Sequence, residues 1–137
     1  MFRNPSDTEV RAFLAGVKRI AVLGLSPKPD RPSYRVSRYM QAAGFTIVPV
    51  RPGISEVLGE TAYPALADVP GDIDLVDVFR RAEEVGAVVD AAIATGARGV
   101  WIQSGIINDD AATKARDAGL FVVMDRCLMV EHARLLG

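Results

Sequence analysis

The residues best suited to chemistry in this chain are cations that follow short apolar runs. They stand in four segments: Lys28 and Arg31, then Arg51, then Arg80-Arg81, and finally Arg126. Lysine and arginine side chains donate strong hydrogen bonds to phosphate and carboxylate groups. The repeated pairing of an apolar run with a cation therefore predicts a ligand that carries more than one anionic group.

The segment from Gly24 to Ser33 has the features of a phosphate cradle. Gly24 permits close backbone approach, while Ser26 and Ser33 supply hydroxyl groups ahead of a predicted helix whose N-terminus attracts anions. No other glycine occurs before Gly44, so the Gly-x-Gly-x-x-Gly fingerprint is absent, and so is the Gly-x-x-x-x-Gly-Lys-Ser/Thr motif. The absence of both motifs disfavours NAD and ATP as ligands.

Arg51 follows the second apolar run, where a protein that binds NAD would place an acidic residue against the ribose 2′-hydroxyl. An arginine at this position favours a ligand with a phosphate on its ribose. NADP and coenzyme A both carry such a phosphate. The residues alone leave these two ligands open.

Several of these residues also have purely structural explanations. Gly24 fits a packing position, and Ser33 fits a helix N-cap. Arg80 and Arg81 precede Glu83 and Glu84, so ion pairs on a solvated face explain them nearly as well as a phosphate does. Lys28 and Arg31 could equally be solvated loop charges, and Trp101 is more typical of a core than of a stacking platform.

Cys127, the only cysteine, has two interpretations. An isolated cysteine near a strand end is typical of a small buried side chain. The alternative is a thiol that faces the ligand beside Arg126, where disulfide exchange becomes possible. His132, beside Glu131, fits a surface or capping position. One cysteine and one histidine do not predict a zinc site, and no Gly-x-Ser-x-Gly motif predicts a serine hydrolase.

Apolar runs that alternate with helical repeats must position these residues. Strands are predicted at 19–25, 45–50, 73–79, 99–102 and 120–124, and helices at 33–43, 85–95, 108–118 and 130–136. Another helix lies before residue 18 and begins with the capping-box spacing of Ser6 and Glu9. The segment 51–71 predicts loops and short turns. Together these elements predict an α/β fold: a Rossmann-like, five-stranded, mostly parallel sheet with helices on both faces.

Composition narrows the class of protein. The 137 residues are 50% hydrophobic, which predicts one domain over residues 1–137 with the helix of residues 1–18 packed on it. Sixteen basic and seventeen acidic residues give a net charge of −1, which predicts neither nucleic acid nor a membrane as a partner. A single cysteine and a polar start predict a soluble, cytoplasmic protein. A homodimer or a partner protein remains open.

At the strand ends the sequence resembles the small stand-alone CoA-binding domain family, whose fold is similar to the N-terminal domain of the succinyl-CoA synthetase alpha subunit. The resemblance covers nearly the whole chain. It rests on the segments 20–29, 31–36, 48–52, 74–81, 101–106 and 125–127. Each segment is unspecific by itself, but the set is specific.

The resemblance implies coenzyme A as the ligand and assigns site residues to each part of it. Around the pyrophosphate it places Gly24, Ser26, Lys28, Ser33, Tyr34 and Arg35. Beside the adenosine 3′-phosphate it places Pro49, Val50 and Arg51, and along adenine and ribose Val78, Phe79 and Arg80. On the pantetheine path it places Gln103, Gly105 and Cys127. These positions agree with the cations and the cradle identified from the residues.

Synthetase activity is not expected of this chain. That activity needs a phosphorylated histidine from a further domain and a nucleotide-binding partner subunit, and this sequence has no counterpart of either. We expect a protein that binds CoA or an acyl-CoA as a non-catalytic carrier, sensor or thiol-protecting protein, with reversible disulfide formation through Cys127 as an option. The alternatives are an NADP-dependent oxidoreductase, which lacks a glycine fingerprint and an evident Tyr/Lys pair here, and a non-catalytic protein-interaction subunit.

Overall fold

In the computed structural model, which describes residues 1–137, helices and strands alternate along most of the chain. The order is α1 Asp7–Ala15, β1 Arg19–Leu23, α2 Pro32–Ala42, β2 Thr46–Val50, β3 Glu56–Val57, β4 Glu60–Thr61, β5 Leu75–Val78, α3 Val85–Thr95, β6 Gly99–Ile102, α4 Asp109–Asp117, β7 Phe121–Met124 and α5 Leu128–Leu135. Short 3₁₀ turns cover 66–68 and 82–84. This arrangement confirms the predicted α/β fold.

The five longer strands form one parallel sheet in the order β2-β1-β5-β6-β7. In the pairing register, Ile20 lies opposite Ile47 on one side and Leu75 on the other. Every residue of β5 and β6 is buried, as expected for strands covered on both faces. Because the chain continues outward from β1 in two directions, to β2 and to β5, the sheet has a topological switch point between β1 and β5.

Each face of the sheet has its own core. One core joins the sheet to α3 and α4 and contains Val76, Val100 and Ala112. The other joins the opposite face to α1, α2 and α5 and contains Trp101, which is fully buried. The prediction that Trp101 belongs to the core is therefore confirmed. No helix is both long and apolar enough to cross a membrane.

Local signals in the sequence set the ends of several helices. Ser6 and Glu9 form the predicted capping box, with each side chain accepting a hydrogen bond from the other residue's backbone N–H. Gly96 ends α3 in the left-handed conformation at φ +75°, and the Asn108 side chain caps α4 by accepting from the N–H of Ala111. The boundaries differ by a few residues from prediction, and α5 begins at Leu128 rather than Val130.

The segment between β2 and β5 is more ordered than the predicted loops and turns. β3 and β4 form a two-residue antiparallel ladder. Tyr63 then bridges to Val50, and its N–H donates to the Pro49 carbonyl while its carbonyl accepts from the N–H of Arg51. These bonds cover the outer edge of β2 near its carboxyl end. Such short pairs carry too little apolar periodicity to be recognised in the sequence.

Asn4 holds the N-terminal segment against the opposite edge of the sheet. Its Nδ2 donates to the Met124 carbonyl at 2.9 Å, and its Oδ1 accepts from the Met124 N–H at 2.8 Å. The side chain thus satisfies both backbone groups of the last residue of β7. The two bonds join residues 120 positions apart in the chain.

Asn4→Ala should lower the free energy of unfolding by about 1–3 kcal/mol, because it leaves two partly buried backbone groups unpaired. Denaturant unfolding followed by circular dichroism measures this change. Thr8→Ala is the matched control, since Thr8 is exposed and makes no side-chain hydrogen bond. Equal stabilities of the two variants would show that Asn4 does not hold this edge.

Candidate functional site

A cleft of about 380 Å³ opens at the carboxyl ends of β1, β2 and β5. Its lining residues come from the loop after β1, the start of α2 and the first residues after β2 and β5: Gly24, Ser26, Lys28, Arg31, Pro32, Ser33, Arg51 and Phe79. This is the switch point of the sheet, where open parallel sheets bind their ligands. The structure therefore brings six of the fifteen predicted site residues into one cavity.

Gly24 allows the strands beside the cleft to meet closely. It adopts φ +88°, and a Cβ at this position would lie 2.4 Å from the carbonyl oxygen of Phe79. A contact that short cannot be tolerated, and the oxygen belongs to the backbone, so it cannot move aside cheaply. The glycine is thus required by the packing of the β1 loop on the end of β5.

The loop after β1 is folded onto the start of α2 by two serines. The Ser26 N–H donates to Ser33 Oγ at 2.9 Å, and the Lys28 N–H donates to Ser26 Oγ at 3.1 Å. Both serines are buried. The helix itself begins at Pro32 without a side-chain cap and without an acidic residue in its first turn. The partial positive charge at the N-terminus of α2 therefore faces the cleft without an acidic side chain to neutralise it.

Three cations surround this helix end. Lys28 and Arg31 are exposed and Arg51 is half-buried, and all three line the cleft. No carboxylate lies within salt-bridge distance of any of them, although seven other arginines and lysines of the chain are paired. Unpaired cations that converge on one cavity create a local positive potential in a nearly neutral protein.

Three predicted phosphate and nucleotide residues lie beside the cleft rather than in its lining. Tyr34 is half-buried against the core beneath α2. Arg35 is exposed, and its guanidinium donates to the Asp30 carbonyl at 2.6 Å. Pro49 is buried within β2. Their roles toward a ligand remain predictions.

An apolar groove starts next to the cleft on the other face of the sheet. Its lining includes Leu23, Val50, Leu66, Val88 and Arg80. Leu23 precedes Gly24 and Val50 precedes Arg51 in the chain, so the groove and the cleft share their strand ends. Val78, which was predicted on the adenine side, is fully buried in the core on this face.

The arginines after β5 are paired with acidic residues. Arg80 lies 3.6 Å from Glu84, and Arg81 lies 3.0 Å from Glu84 and 3.6 Å from Glu83. The ion-pair interpretation of both residues is therefore confirmed. Arg80 keeps one buried donor, Nε, without a protein partner, whereas Arg81 is mostly exposed.

The loops after β6 and β7 are tied together at the same edge of the sheet. The Gly105 N–H donates to Asp125 Oδ1 at 2.8 Å, and Asp125 itself has φ +60°. Trp101 Nε1 donates to the Arg126 carbonyl at 2.9 Å, which fixes the chain just before Cys127. Cys127 is half-buried at the N-cap of α5, with a free thiol. Neither Gly105 nor Cys127 lines the cleft.

Gln103 is turned into the protein, onto a buried carboxyl group. Its Nε2 donates to Asp77 Oδ1 at 2.6 Å, and the second carboxyl oxygen, Oδ2, is buried without a partner. Asp77 lies opposite Val22 and Trp101 in the sheet and is 1% exposed. Burial raises the pKa of Asp77 to about 7, with the Gln103 hydrogen bond acting in the opposite direction.

Sequence reasoning missed two residues here and left a third open. Arg31 lines the cleft; the sequence predicts it as a cation for an anionic ligand, with a solvated loop charge as the alternative. Pro32 also lines the cleft and had no predicted role. Proline is favoured in the first helical turn, so Pro32 carried a signal for the helix start. Asp77 was read only as part of a strand. An aspartate inside an otherwise apolar β run was the available sign of a buried polar group.

The fold and the cleft define a Rossmann-like domain with a cationic cleft at its switch point. Within that class, the chain belongs to the CoA binding domain family, which matches residues 18–133. This finding confirms the family resemblance identified in the sequence.

The relatives support this assignment. YneT of Bacillus subtilis (strain 168) is 44% identical over 131 residues, which are 96% of this chain and 97% of YneT. The structure is similar to that of a hypothetical protein from Pyrococcus horikoshii OT3, with a TM-score of 0.93, 40% identity and coverage of 100% and 99% of the two chains. The ADP-forming acetate–CoA ligase II of Archaeoglobus fulgidus is 28% identical over 89 residues, 64% of this chain and 13% of the ligase.

Asp77 should make the stability of the protein depend on pH. Its pKa rises from 3.8 in the unfolded chain to about 7 in the fold, so the folded state binds the extra proton and stability falls as pH rises through this window. Between pH 5 and pH 8 the titration of Asp77 should lower the free energy of unfolding by roughly 2.5 kcal/mol. Denaturant unfolding at both pH values measures it.

The Asp77→Asn side chain has the same shape and does not titrate. The free energy of unfolding of this variant should therefore fall much less between pH 5 and pH 8 than that of the wild type. Ser37→Ala removes another buried polar atom without a partner and is the matched control. It should retain the decrease. An unchanged pH dependence in Asp77→Asn would assign the titration to another group.

Proposed function

We propose that this protein binds coenzyme A or an acyl-CoA in the cleft at the ends of β1, β2 and β5. The observation that carries the proposal is the convergence of Lys28, Arg31 and Arg51, none of them paired with a carboxylate, on the uncapped start of α2. Coenzyme A carries a pyrophosphate and a 3′-phosphate, which together match several cations. Membership of the CoA binding domain family supports the same ligand.

The arrangement suggests how the ligand would lie. The pyrophosphate would sit against the start of α2, where Ser33 lies and where Gly24 lines the cavity with backbone alone. Arg51, on the next strand, would bind the 3′-phosphate. The apolar groove that begins at Val50 would accept adenine, and the pantetheine arm would run toward the loops after β6 and β7.

Calorimetric titration of the reduced, nucleotide-free protein tests this proposal. Coenzyme A should bind with a micromolar Kd, about −8 kcal/mol. Arg51→Ala should weaken this binding by about 10- to 100-fold, the effect of one charged hydrogen-bonding partner. Dephospho-CoA should bind the wild type as weakly as coenzyme A binds the variant.

Arg38→Ala provides the matched control, because Arg38 is exposed on α2, unpaired and outside the cleft. Its affinity for coenzyme A should equal that of the wild type. Equal losses in Arg38→Ala and Arg51→Ala would mean that general charge, not a 3′-phosphate site, attracts the ligand.

The same titration separates the alternatives. Binding of NADP in place of coenzyme A would favour an NADP-dependent oxidoreductase. Binding of neither ligand would favour an interaction subunit that acts as a homodimer or with a partner protein. In both cases the proposal of coenzyme A as ligand would be abandoned.

We further infer a non-catalytic role as carrier, sensor or thiol-protecting protein, with Cys127 able to form a mixed disulfide with coenzyme A by exchange with CoA disulfide. Cys127 is half-buried and stands just after the carboxyl end of β7, at the same edge of the sheet as the cleft. In the exchange, the Cys127 thiolate attacks one sulfur of CoA disulfide. A protein–CoA disulfide forms, and the second CoA leaves as a thiolate.

Incubation with CoA disulfide should add one CoA moiety to the native protein, and dithiothreitol should remove it. Intact-mass spectrometry detects both steps. Cys127→Ser should show no adduct, and glutathione disulfide, which lacks the nucleotide, should react more slowly than CoA disulfide. Equal rates with the two disulfides would show an accessible thiol without a guiding site.

A further inference from the structure

Asp77 and Gln103 form the one hydrogen bond in the structure that joins two buried side chains. Asp77 is 1% exposed and Gln103 is 4% exposed. Asp77 is the last residue but one of β5, and Gln103 directly follows β6. Asp77 therefore lies beneath the end of β5, which borders the cleft, and Gln103 lies beneath the end of the adjacent strand β6. Phe79, two residues after Asp77, lines the cleft itself.

The pair sets the orientation of the Gln103 amide. A carboxylate only accepts hydrogen bonds, so the amide must direct its NH₂ group inward, toward Asp77 Oδ1. Oε1 then lies at the other side of the amide. It has no partner in the protein and, unlike Asp77 Oδ2, it is not among the sealed polar atoms. The backbone of Gln103 is also held, because its N–H donates to the Val78 carbonyl and its carbonyl accepts from Ile106.

The surroundings of Asp77 contain no charge that would explain its place there. The core on this face of the sheet is apolar and includes Val22, Trp101 and Leu128. Ser37, on α2, is the other buried polar side chain without a partner on this face. Burial raises the pKa of Asp77, and the hydrogen bond from Gln103 acts in the opposite direction. Burying a carboxyl group costs free energy, and a hydrophobic residue would stabilise the core better.

We propose that Asp77 is a positioning residue that orients Gln103 so that its Oε1 accepts a hydrogen bond from an amide N–H of the pantetheine arm. This inference rests on the proposed function, because it assigns the residues that recognise the part of coenzyme A beyond its nucleotide. It makes the Asp77–Gln103 pair a determinant of specificity for the arm over the nucleotide alone.

The test compares two ligands, coenzyme A and 3′-phosphoadenosine 5′-diphosphate, which is the nucleotide half without the arm. Gln103→Met keeps the length of the side chain and removes its amide. It should weaken coenzyme A binding about tenfold and change binding of the nucleotide half by less than about twofold. Ser37→Ala, a change in another buried polar group on the same face, should alter neither affinity.

A second measurement needs only the wild type and Asp77→Asn. When Asp77 is protonated it can donate a hydrogen bond, so the Gln103 amide can rotate and present NH₂ in place of Oε1. The preference for coenzyme A over the nucleotide half should therefore rise more between pH 6 and pH 8 in the wild type than in Asp77→Asn, which does not titrate. The ratio cancels the titration of the 3′-phosphate that both ligands share. The terminal phosphate of the nucleotide half titrates in the same range and is esterified in coenzyme A, but it affects both proteins alike, so the difference between the wild type and Asp77→Asn is the readout.

The outcomes separate the two proposals. If wild-type protein binds neither ligand, the proposed function fails and this inference fails with it. If both ligands bind but Gln103→Met weakens them equally, or weakens neither, Asp77 and Gln103 are structural and the inference alone is wrong. A preference that changes with pH equally in the wild type and in Asp77→Asn would likewise exclude orientation of the amide by Asp77.

Discussion

The close packing of Gly24 against the backbone of Phe79 is the constraint on which the cleft depends. Only a glycine allows the chain to turn out of β1 at φ +88° while the end of β5 passes within contact of it. This approach brings the loop after β1, the start of α2 and the end of β5 around one cavity. Ser26 and Ser33 then hold the loop in place, so the cations it carries project into that cavity.

Much of the fold could be predicted because its signals are local. The capping box at Ser6, the left-handed stop at Gly96 and the Asn108 cap each act within one helical turn, and they set helix ends that the structure confirms. Buried apolar runs likewise placed the five strands. The β3–β4 pair escaped prediction because each strand has two residues, too few for any periodicity.

The site was less predictable, because its properties come from contacts between distant segments. The sequence marked Gly24 and Arg51 as residues at strand ends, but only the fold shows which cations remain unpaired. Arg80 and Arg81 meet acidic residues, whereas Lys28, Arg31 and Arg51 do not. Asp77 and Gln103 are 26 positions apart, and nothing in either local sequence indicates that they meet inside the protein.

With the proposed anion in the cleft, the three unpaired cations would also tie the lifetime of the protein to the supply of that ligand. Like charges around one cavity repel one another, and an anion that occupies the cleft removes this repulsion. A ligand that binds only the folded chain stabilises it by RT ln(1 + [L]/Kd), which is about 2.7 kcal/mol when the ligand is at a hundred times its Kd. Scarcity of the ligand would therefore raise the unfolded fraction, the form that cellular proteases degrade. The abundance of the protein would then follow the concentration of what it binds.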